Sequence, residues 1–304
     1  MSIENQNDAK AFYGRLFTVK SLLESNVQYG HSPRRWNPKM EKYIYGIQGG
    51  MHIINLKLTA IHLEKALRVL RDCASKGGKI LFASTKKQAS GIVSKYAAEC
   101  NQFYMEGRWP GGVLTNWKTF STSISKLDKY DKMLEVGEGG SLTKKERLIL
   151  KREYENLLKL LAGIRHMNGI PSMLFVIGNI ETRTAIQEAK KMKIPIISVV
   201  DTNANPEEIE NIIPGNDDSR TAIELYCRLA KEAILEGLAN PTADNRKNDY
   251  SKKESFSVDK SRNEKVKKLR SSVADPSKNL KPIKEVSDDK QPKVIKIDNV
   301  DDKN

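Results

Sequence analysis

Cysteine is scarce in this sequence, and the few cysteines are far apart. The 304 residues contain Cys73, Cys100 and Cys227, and no CxxC pair occurs. An odd number of widely spaced cysteines argues against a disulfide framework, and without cysteine pairs a structural zinc site has no obvious ligands. The pattern is typical of a protein in a reducing compartment.

Long apolar runs are also missing. The sequence has no stretch of the roughly 18 apolar residues that a membrane-spanning helix needs. Its first residues, MSIENQNDAKAFYGRLF, include acids and lack the apolar core of a signal peptide. We therefore expect no membrane partner, and a location in the cytoplasm or, equally compatible with the residues, an organelle matrix.

Signatures of catalysis are absent as well. The sequence contains no GxxxxGK[ST], GxGxxG or GxSxG motif, and its four histidines lack metal-ligand spacing. We therefore predict no catalytic residue, no cofactor and no small-molecule substrate. One alternative stays open, an α/β enzyme or binding protein for a phosphorylated small molecule. Ser84 and Thr85, followed by lysines, stand at a predicted helix start, where free N–H groups bind anions.

What the sequence has in excess is positive charge. Its 52 Lys and Arg residues exceed its 38 Asp and Glu residues, which gives a net charge of +14. Residues 240–304 hold 17 basic and 12 acidic residues and few large apolar ones, so we predict a disordered tail there. That tail accounts for +5, and the remaining +9 belongs to the rest of the chain. Such a surplus favours a polyanionic partner.

Short apolar runs predict a parallel sheet. Residues 79–84, 173–178 and 194–200 are apolar throughout, as in strands buried on both faces, and residues 52–56 and 102–106 are weaker candidates. Helix-like segments follow these runs, which gives the βαβ rhythm of an α/β fold.

Helix starts are marked by polar residues. Thr85 and Gln88 match a capping box before a helix that would end near Glu99. Asn205, followed by Pro206 and two glutamates, predicts another helix start.

An inserted helical hairpin interrupts the βαβ rhythm at residues 119–164. A second capping box, Thr143 to Glu146, separates two amphipathic segments around the polar turn VGEGGS. Apolar residues recur at spacings of three and four, typical of a coiled-coil seam. They are Phe120, Ile124, Leu127, Leu150, Tyr154, Leu157, Leu161 and Ile164. The hairpin's lysines and arginines are most simply a solvated charged face.

Two stiff, non-helical stretches carry basic, amide and aromatic residues together. The stretch YGHSPRRWNPKM, residues 29–40, has two prolines, and EGRWPGGVLTNWK, residues 106–118, has a double glycine. Such a segment is typical of a catalytic loop, a phosphate clamp or a nucleic-acid contact. A catalytic loop would need a second group to activate His31, and a phosphate clamp would need a phosphate-loop motif. The sequence offers neither, which favours the nucleic-acid contact. Together with the lysines after the first apolar run, we predict an RNA-binding set. It comprises His31, Arg34, Arg35, Trp36, Asn37, Lys39, Lys86, Lys87, Arg108, Trp109, Asn116 and Lys118. For Trp36 and Trp109, base stacking and core anchoring remain open alternatives.

Three carboxylates follow strand-like runs, where open α/β sheets bind ligands. Asp201, Asp217 and Asp218 offer oxygen ligands for a hard cation, but helix caps and turns use such residues more often. We therefore predict no metal site and keep these three as the only candidates.

Seven stretches together resemble one protein family. In order they are YGHSPRRWNPKMEKYIYG, HIINL, GGKILFASTKKQA, RWPGGVLTNWKT, LTKKE, IPIISVVDTNANP and IPGNDDSRTAIELYC. They are similar to bacterial-type small-subunit ribosomal protein two over about residues 16–238. The resemblance implies a flavodoxin-like α/β domain with an inserted coiled-coil hairpin. It also implies contacts with small-subunit ribosomal RNA and neighbouring ribosomal proteins, help in docking ribosomal protein one, and no enzymatic activity.

Several positions depart from the family pattern. Pro110 stands where the family has Leu, and Gly178 replaces an acid near the candidate metal ligands, which weakens that site. From all of this we expect a flexible N-terminus at residues 1–15 and an α/β domain formed by residues 16–118 and 165–239. The hairpin at 119–164 and the tail at 240–304 complete the division.

Overall fold

The computed structural model describes residues 16–135 and 143–241. The predicted flexible N-terminus and nearly all of the predicted disordered tail lie outside these residues, as does the tip of the predicted hairpin. The described strands are β1 (Ile44–Gln48), β2 (Met51–Ile54), β3 (Ile80–Ser84), β4 (Phe103–Glu106), β5 (Met173–Ile177), β6 (Ile196–Val200) and β7 (Asn211–Pro214). The described helices are α1 (Val19–Glu24), α2 (Leu56–Ser75), α3 (Ile92–Glu99), α4 (Trp117–Glu135), α5 (Lys144–Leu161), α6 (Arg183–Lys191) and α7 (Arg220–Ala239).

Five parallel strands form the central sheet, in the order β4-β3-β5-β6-β7. Helices cover both faces because parallel neighbours need crossover connections. The predicted α/β, flavodoxin-like fold is confirmed. All strands of the sheet end at one edge, which we call the carboxyl edge.

The apolar runs divide their side chains between two cores. In β3, Ile80 and Phe82 pack on one face with α2, α3 and α7, while Leu81 and Ala83 pack on the other with α6 and the base of the hairpin. Alternating side chains of a strand point to opposite faces, so a run that is apolar throughout is what a doubly covered sheet requires.

Four of the five strands of the central sheet match predicted strands. The sequence did not predict β1 and β7, and it did not place the HIINL strand outside the sheet. HIINL forms β2, which pairs antiparallel with β1 in a separate two-stranded hairpin. The run Asn211–Pro214 is β7, the edge strand. It is only four residues long and ends in proline, so it gives little periodic signal.

The helix predicted to start at Thr85 begins seven residues later. Residues 86–91 form turns and α3 starts at Ile92 with Gly91 as its N-cap, so the Thr85–Gln88 capping box is wrong. The chain turns there because the Lys86 side chain is buried among carboxylates. Asn205 does cap a helix, but only the single 3₁₀ turn Pro206–Glu208.

Helices α4 and α5 form the inserted hairpin. Thr143 and Glu146 make the predicted capping box, with the Thr143 N–H donating to Glu146 Oε2 at 2.9 Å. At its base, a β-carbon on Gly163 would lie 2.0 Å from the Tyr104 carbonyl oxygen, so only glycine allows the returning chain to lie against β4.

Within residues 16–135 and 143–241, no helix combines the length and the apolar character needed to cross a lipid bilayer.

Candidate nucleic-acid interface

Residues 29–40 form a strap across the carboxyl edge. The backbone N–H groups of His31 and Asn37 donate to Thr202 Oγ1 and to the Thr202 carbonyl, each at 2.8 Å. The Trp36 ring packs on the His52 ring with 5.1 Å between centroids. The strap is therefore fixed at the loop after β6 and on β2.

The strap exposes its arginines. Arg34 and Arg35 are exposed, whereas Trp36 and Asn37 are half-buried, and the Asn37 side chain accepts from the Lys39 N–H at 3.0 Å. Lys39 is exposed and forms an ion pair with Glu207. Arg34 and Arg35 are thus accessible to a phosphate, whereas Trp36 and Asn37 hold the strap in place.

Beneath the strap lies a cluster of opposite charges. His31 Nδ1 is 3.0 Å from Asp201 Oδ2, and His31 Nε2 is 3.2 Å from Asp218 Oδ2. Lys86 Nζ donates to Asp217 Oδ1 at 2.5 Å and to Asp218 Oδ1 at 2.7 Å, and Glu181 is 3.6 Å away. Lys86 is only 6% exposed.

These contacts shift the acidities of the cluster. The hydrogen bond to Asp201 raises the pKa of His31, opposed by burial and supported by Asp218. Burial disfavours the charged form of Lys86, but Asp217 and Asp218 outweigh it and raise the pKa of the amine. Burial, reinforced by Asp201, raises the pKa of Asp217 against the effect of Lys86. The carboxylates thus favour the charged forms of His31 and Lys86, whereas burial disfavours the charged form of Asp217.

The cluster brings two of the three candidate metal ligands, Asp201 and Asp218, together with His31, which was not predicted as a ligand. The third candidate, Asp217, pairs with Lys86. Ligand atoms of His31, Asp201 and Asp218 lie within 4.8 Å of one another, a set of one nitrogen and two oxygens that a divalent cation accepts. Lys86 already neutralises Asp218 and Asp217, so a cation would compete with an ammonium group. Among the described residues, His31 and Lys86 are the basic side chains that pair with these carboxylates.

The second stretch, residues 107–116, connects β4 to α4 and is held from α6. Both carboxylate oxygens of Glu188 accept hydrogen bonds from this loop. Oε1 accepts from Trp109 Nε1 at 3.1 Å and from the Gly112 N–H at 2.7 Å. Oε2 accepts from the Leu114 N–H at 2.9 Å and the Thr115 N–H at 3.3 Å. The loop is consequently as firmly fixed as the strap.

Exposure sorts the remaining RNA candidates. Lys87, Arg108, Asn116 and Lys118 are exposed. Lys87 and Arg108 belong to the turns after β3 and β4, neighbouring strands whose ends are joined by a hydrogen bond from the Gly107 N–H to the Ser84 carbonyl at 3.2 Å. Asn116 directly precedes α4, and Lys118 lies in the first turn of α4.

Two candidates lack the exposure that an RNA contact needs. Trp109 is 8% exposed and bonded to Glu188, so core anchoring is the role that its position supports. Lys86 is buried among carboxylates. Neither enters the surface proposed below.

The phosphate contact considered at Ser84 and Thr85 loses its helix start, because α3 begins only at Ile92. At the true start of α3 the chain supplies its own anion. The Gly91 N–H donates to Glu106 Oε2 at 2.7 Å. The carboxylate of β4 thus takes the place that a bound phosphate would need.

Sequence reasoning missed the residues that support the loops. Glu188 lies in an amphipathic helical pattern and reads as a surface acid, and Thr202 reads as a turn residue. The one available signal is that Asp201 and Thr202 directly follow β6, at the edge where ligands and loops meet. For His31 no local pattern indicates the two carboxylates, which lie 170 and 187 residues further along the chain.

Comparison with known proteins agrees with this architecture. The family model described as Ribosomal protein S2 matches residues 22–237, more than two thirds of the chain. The chain belongs to the ribosomal protein S2 family. That family is structural and not enzymatic, so the prediction of no enzyme is confirmed and the α/β enzyme alternative is set aside.

Individual relatives of the ribosomal protein S2 family cover the same region. The small ribosomal subunit protein uS2 of Cereibacter sphaeroides is 49% identical over 223 residues, which is 73% of this chain and 88% of the relative. The uS2 protein of Ruegeria pomeroyi is 49% identical over 222 residues, 73% of this chain and 86% of the relative. That of Bartonella quintana is 48% identical over 223 residues, again 73% and 86%.

Proposed function

We propose that this chain is a structural constituent of the small ribosomal subunit in the cytoplasm and binds small-subunit ribosomal RNA through the carboxyl edge of its sheet. Its relatives are named as small ribosomal subunit proteins. The RNA-contacting side chains in this proposal are Arg34, Arg35, Lys87, Arg108, Asn116 and Lys118.

The observation that carries the proposal is that exposed arginine and lysine side chains lie on or next to loops that are fixed by hydrogen bonds to buried residues. Arg34 and Arg35 project from a strap fixed to Thr202, and Arg108 and Lys118 flank a loop fixed to Glu188. A rigid loop loses little further entropy when its side chains are ordered on phosphates. Arginine and lysine release counterions from RNA, so binding weakens as salt rises.

A second surface supports contact with neighbouring ribosomal proteins, including ribosomal protein one. The β1–β2 hairpin exposes Tyr45 (80% exposed), Ile47 and Met51. Tyr45 lies at a β-bulge, where the pairing of Ile44 and Gly46 with β2 shifts register. Exposed aromatic and aliphatic side chains on a bulged hairpin are typical of a protein-docking surface and add nothing to phosphate binding.

The rRNA proposal is tested by replacing both strap arginines. Arg34→Ala with Arg35→Ala removes two phosphate contacts and leaves the buried supports intact. We expect roughly a tenfold or greater loss of affinity for purified bacterial small-subunit rRNA. The slope of log affinity against log salt should become shallower by about 1–2.

The matched control removes the same charge from the opposite edge. Lys190→Ala with Lys191→Ala changes two exposed lysines at the end of α6, away from the strap. This control should bind rRNA nearly as the native chain does. Equal affinity losses in both double variants would show only a general charge effect and contradict the proposed interface. Unfolding of the arginine variant would make the strap a structural element instead.

A further inference from the structure

The Glu188 carboxylate is an acceptor shared by one loop. Five donors from residues 109–115 converge on it, four N–H groups and the Thr115 hydroxyl at 3.4 Å. All five are uncharged. The negative charge is therefore balanced by oriented dipoles of the loop, an arrangement otherwise seen where backbone N–H groups cradle a bound anion.

The position of Glu188 makes this contact rigid. It lies within α6, between the buried residues Ile186 and Ala189, and is itself 8% exposed. Burial would raise the pKa of this carboxyl, but the N–H groups of Gly112 and Leu114 outweigh burial and lower it. The hydrogen bonds from the loop thus favour the charged form of the carboxylate.

Besides Glu188, three backbone hydrogen bonds restrain the two ends of the loop. The N–H groups of Gly107, Arg108 and Asn116 donate to the carbonyls of Ser84, Glu106 and Gly112 at 3.2, 3.0 and 2.7 Å. The loop contains no helix or strand between Glu106 and Trp117, and Gly112 adopts a positive φ of 93°. Val113 and Leu114 are buried beside it, which fixes the side of the loop that faces the core. The amides between these apolar anchors need an acceptor, because a buried N–H without one is costly.

We propose that Glu188 is a positioning residue, which holds residues 107–116 in the shape that presents Arg108, Asn116 and Lys118 to RNA. The inference rests on the proposed rRNA binding and extends it to a residue that does not touch RNA. Arg108 directly precedes the fixed residues, Asn116 directly follows them and Lys118 lies in the first turn of α4, so a change in the loop's shape would alter the spacing of these three side chains.

Glu188→Gln tests this with almost no change in side-chain volume. One carboxylate oxygen becomes an NH₂ group, which would face N–H donors of the loop, so either the Trp109 and Gly112 pair or the Leu114 and Thr115 set loses its acceptor. We expect the amide hydrogens of Gly112, Leu114 and Thr115 to exchange faster. The Kd for purified small-subunit rRNA should rise roughly three- to tenfold.

A double-mutant cycle separates positioning from mere stability. In the full-length chain carrying Arg108→Ala and Lys118→Ala, the loop has little left to present, and Glu188→Gln should change the Kd by less than about twofold. Ile186→Val is the matched control on the same helix. It lowers stability by opening a small cavity, but it should leave the three amides and the Kd unchanged.

The outcomes distinguish the positioning role of Glu188 from the rRNA binding on which it rests. If Arg108→Ala with Lys118→Ala binds as tightly as the native chain, the loop does not contact RNA and both ideas fail here. If that variant loses affinity but Glu188→Gln does not, only the positioning role is wrong. An equal loss from Glu188→Gln in both backgrounds would also overturn it. Should Glu188→Gln fold poorly, Trp109→Phe removes a single donor and should give a smaller effect in the same direction.

Discussion

Lys86 and Lys87 are neighbours in sequence with opposite environments. The Lys86 ammonium is enclosed by Asp217, Asp218 and Glu181, whereas Lys87 is exposed at the carboxyl edge. Gly178 leaves room for the Lys86 side chain, because a β-carbon at position 178 would lie 3.0 Å from two carbons of Lys86. Lys86 therefore pairs with carboxylates inside the protein, whereas Lys87 is accessible to a polyanion.

This difference predicts different costs for the same substitution. Lys86→Met leaves Asp217 buried without its partner and should lower the free energy of unfolding by about 3–5 kcal/mol. Lys87→Met, the matched control, should change it by less than about 0.5 kcal/mol. Urea denaturation of both variants measures the difference. A small loss for Lys86→Met would mean that the cluster contributes little to folding.

For the candidate site, the sequence predicts which residue types stand on which loops, but not which of those side chains face solvent. Pro33 and Pro38 mark a stiff segment, and Arg34 and Arg35 on it are exposed as a phosphate contact requires. Whether a given lysine or tryptophan faces solvent depends on contacts distant in sequence. Trp109 is buried because Glu188, 79 residues away, accepts from its indole. No local pattern contains that information.

At the scale of elements, a hydrogen-bond network centred on Arg165 lies at the base of the helical hairpin. Arg165 follows the 3₁₀ turn after α5 and donates through Nε to Asp128 at 2.7 Å and through an Nη atom to Asp131 at 2.8 Å. Both acceptors lie on α4, and Tyr154 of α5 also donates to Asp131 at 3.0 Å. The network ties the two helices together at the base of the hairpin.

Removing that arginine should loosen the hairpin locally. Arg165→Met loses charge-assisted hydrogen bonds, so we expect a cost of about 1.5–3 kcal/mol. Faster amide exchange in α4 around Asp128 and Asp131 should accompany it, with little change in β5 or β6. Lys126→Met serves as the control, because its pair with Glu153 at 3.7 Å is exposed, and exposed ion pairs contribute little to stability. Unchanged exchange in α4 would show that the apolar seam alone holds the hairpin.

Elements with their own periodicity were the predictable part of the fold. The runs that became β3, β5 and β6 bury every residue on two faces, and the hairpin keeps a seam of apolar residues over four turns, so both patterns are visible locally. The start of α3 was not predictable in this way. The polar residues after Thr85 match a helix cap, but the burial of Lys86 overrides that local preference.

At the scale of the whole molecule, charge and apolar exposure occupy different elements. The proposed RNA contacts stand on the loops at the carboxyl edge, whereas the exposed apolar side chains of Tyr45, Ile47 and Met51 belong to the separate β1–β2 hairpin. The strap connects the two, since residue 29 bridges to Ile53 of β2 and His31 pairs at the sheet edge. A subunit component that binds RNA and a protein at once needs such a division.

The division predicts that protein docking can be lost without loss of RNA binding. Tyr45→Ser with Ile47→Ser removes most of the apolar side-chain surface that β1 exposes. It should weaken binding of purified ribosomal protein one to reconstituted small subunits by roughly tenfold or more, since buried aromatic anchors carry much of an interface's energy. Leu235→Ser, an exposed apolar residue of α7, is the matched control and should bind normally. Affinity for small-subunit rRNA should stay unchanged in both. If docking persists in the Tyr45 and Ile47 variant, the hairpin is not the protein-binding surface, and if rRNA affinity falls with docking, the two surfaces are not separate.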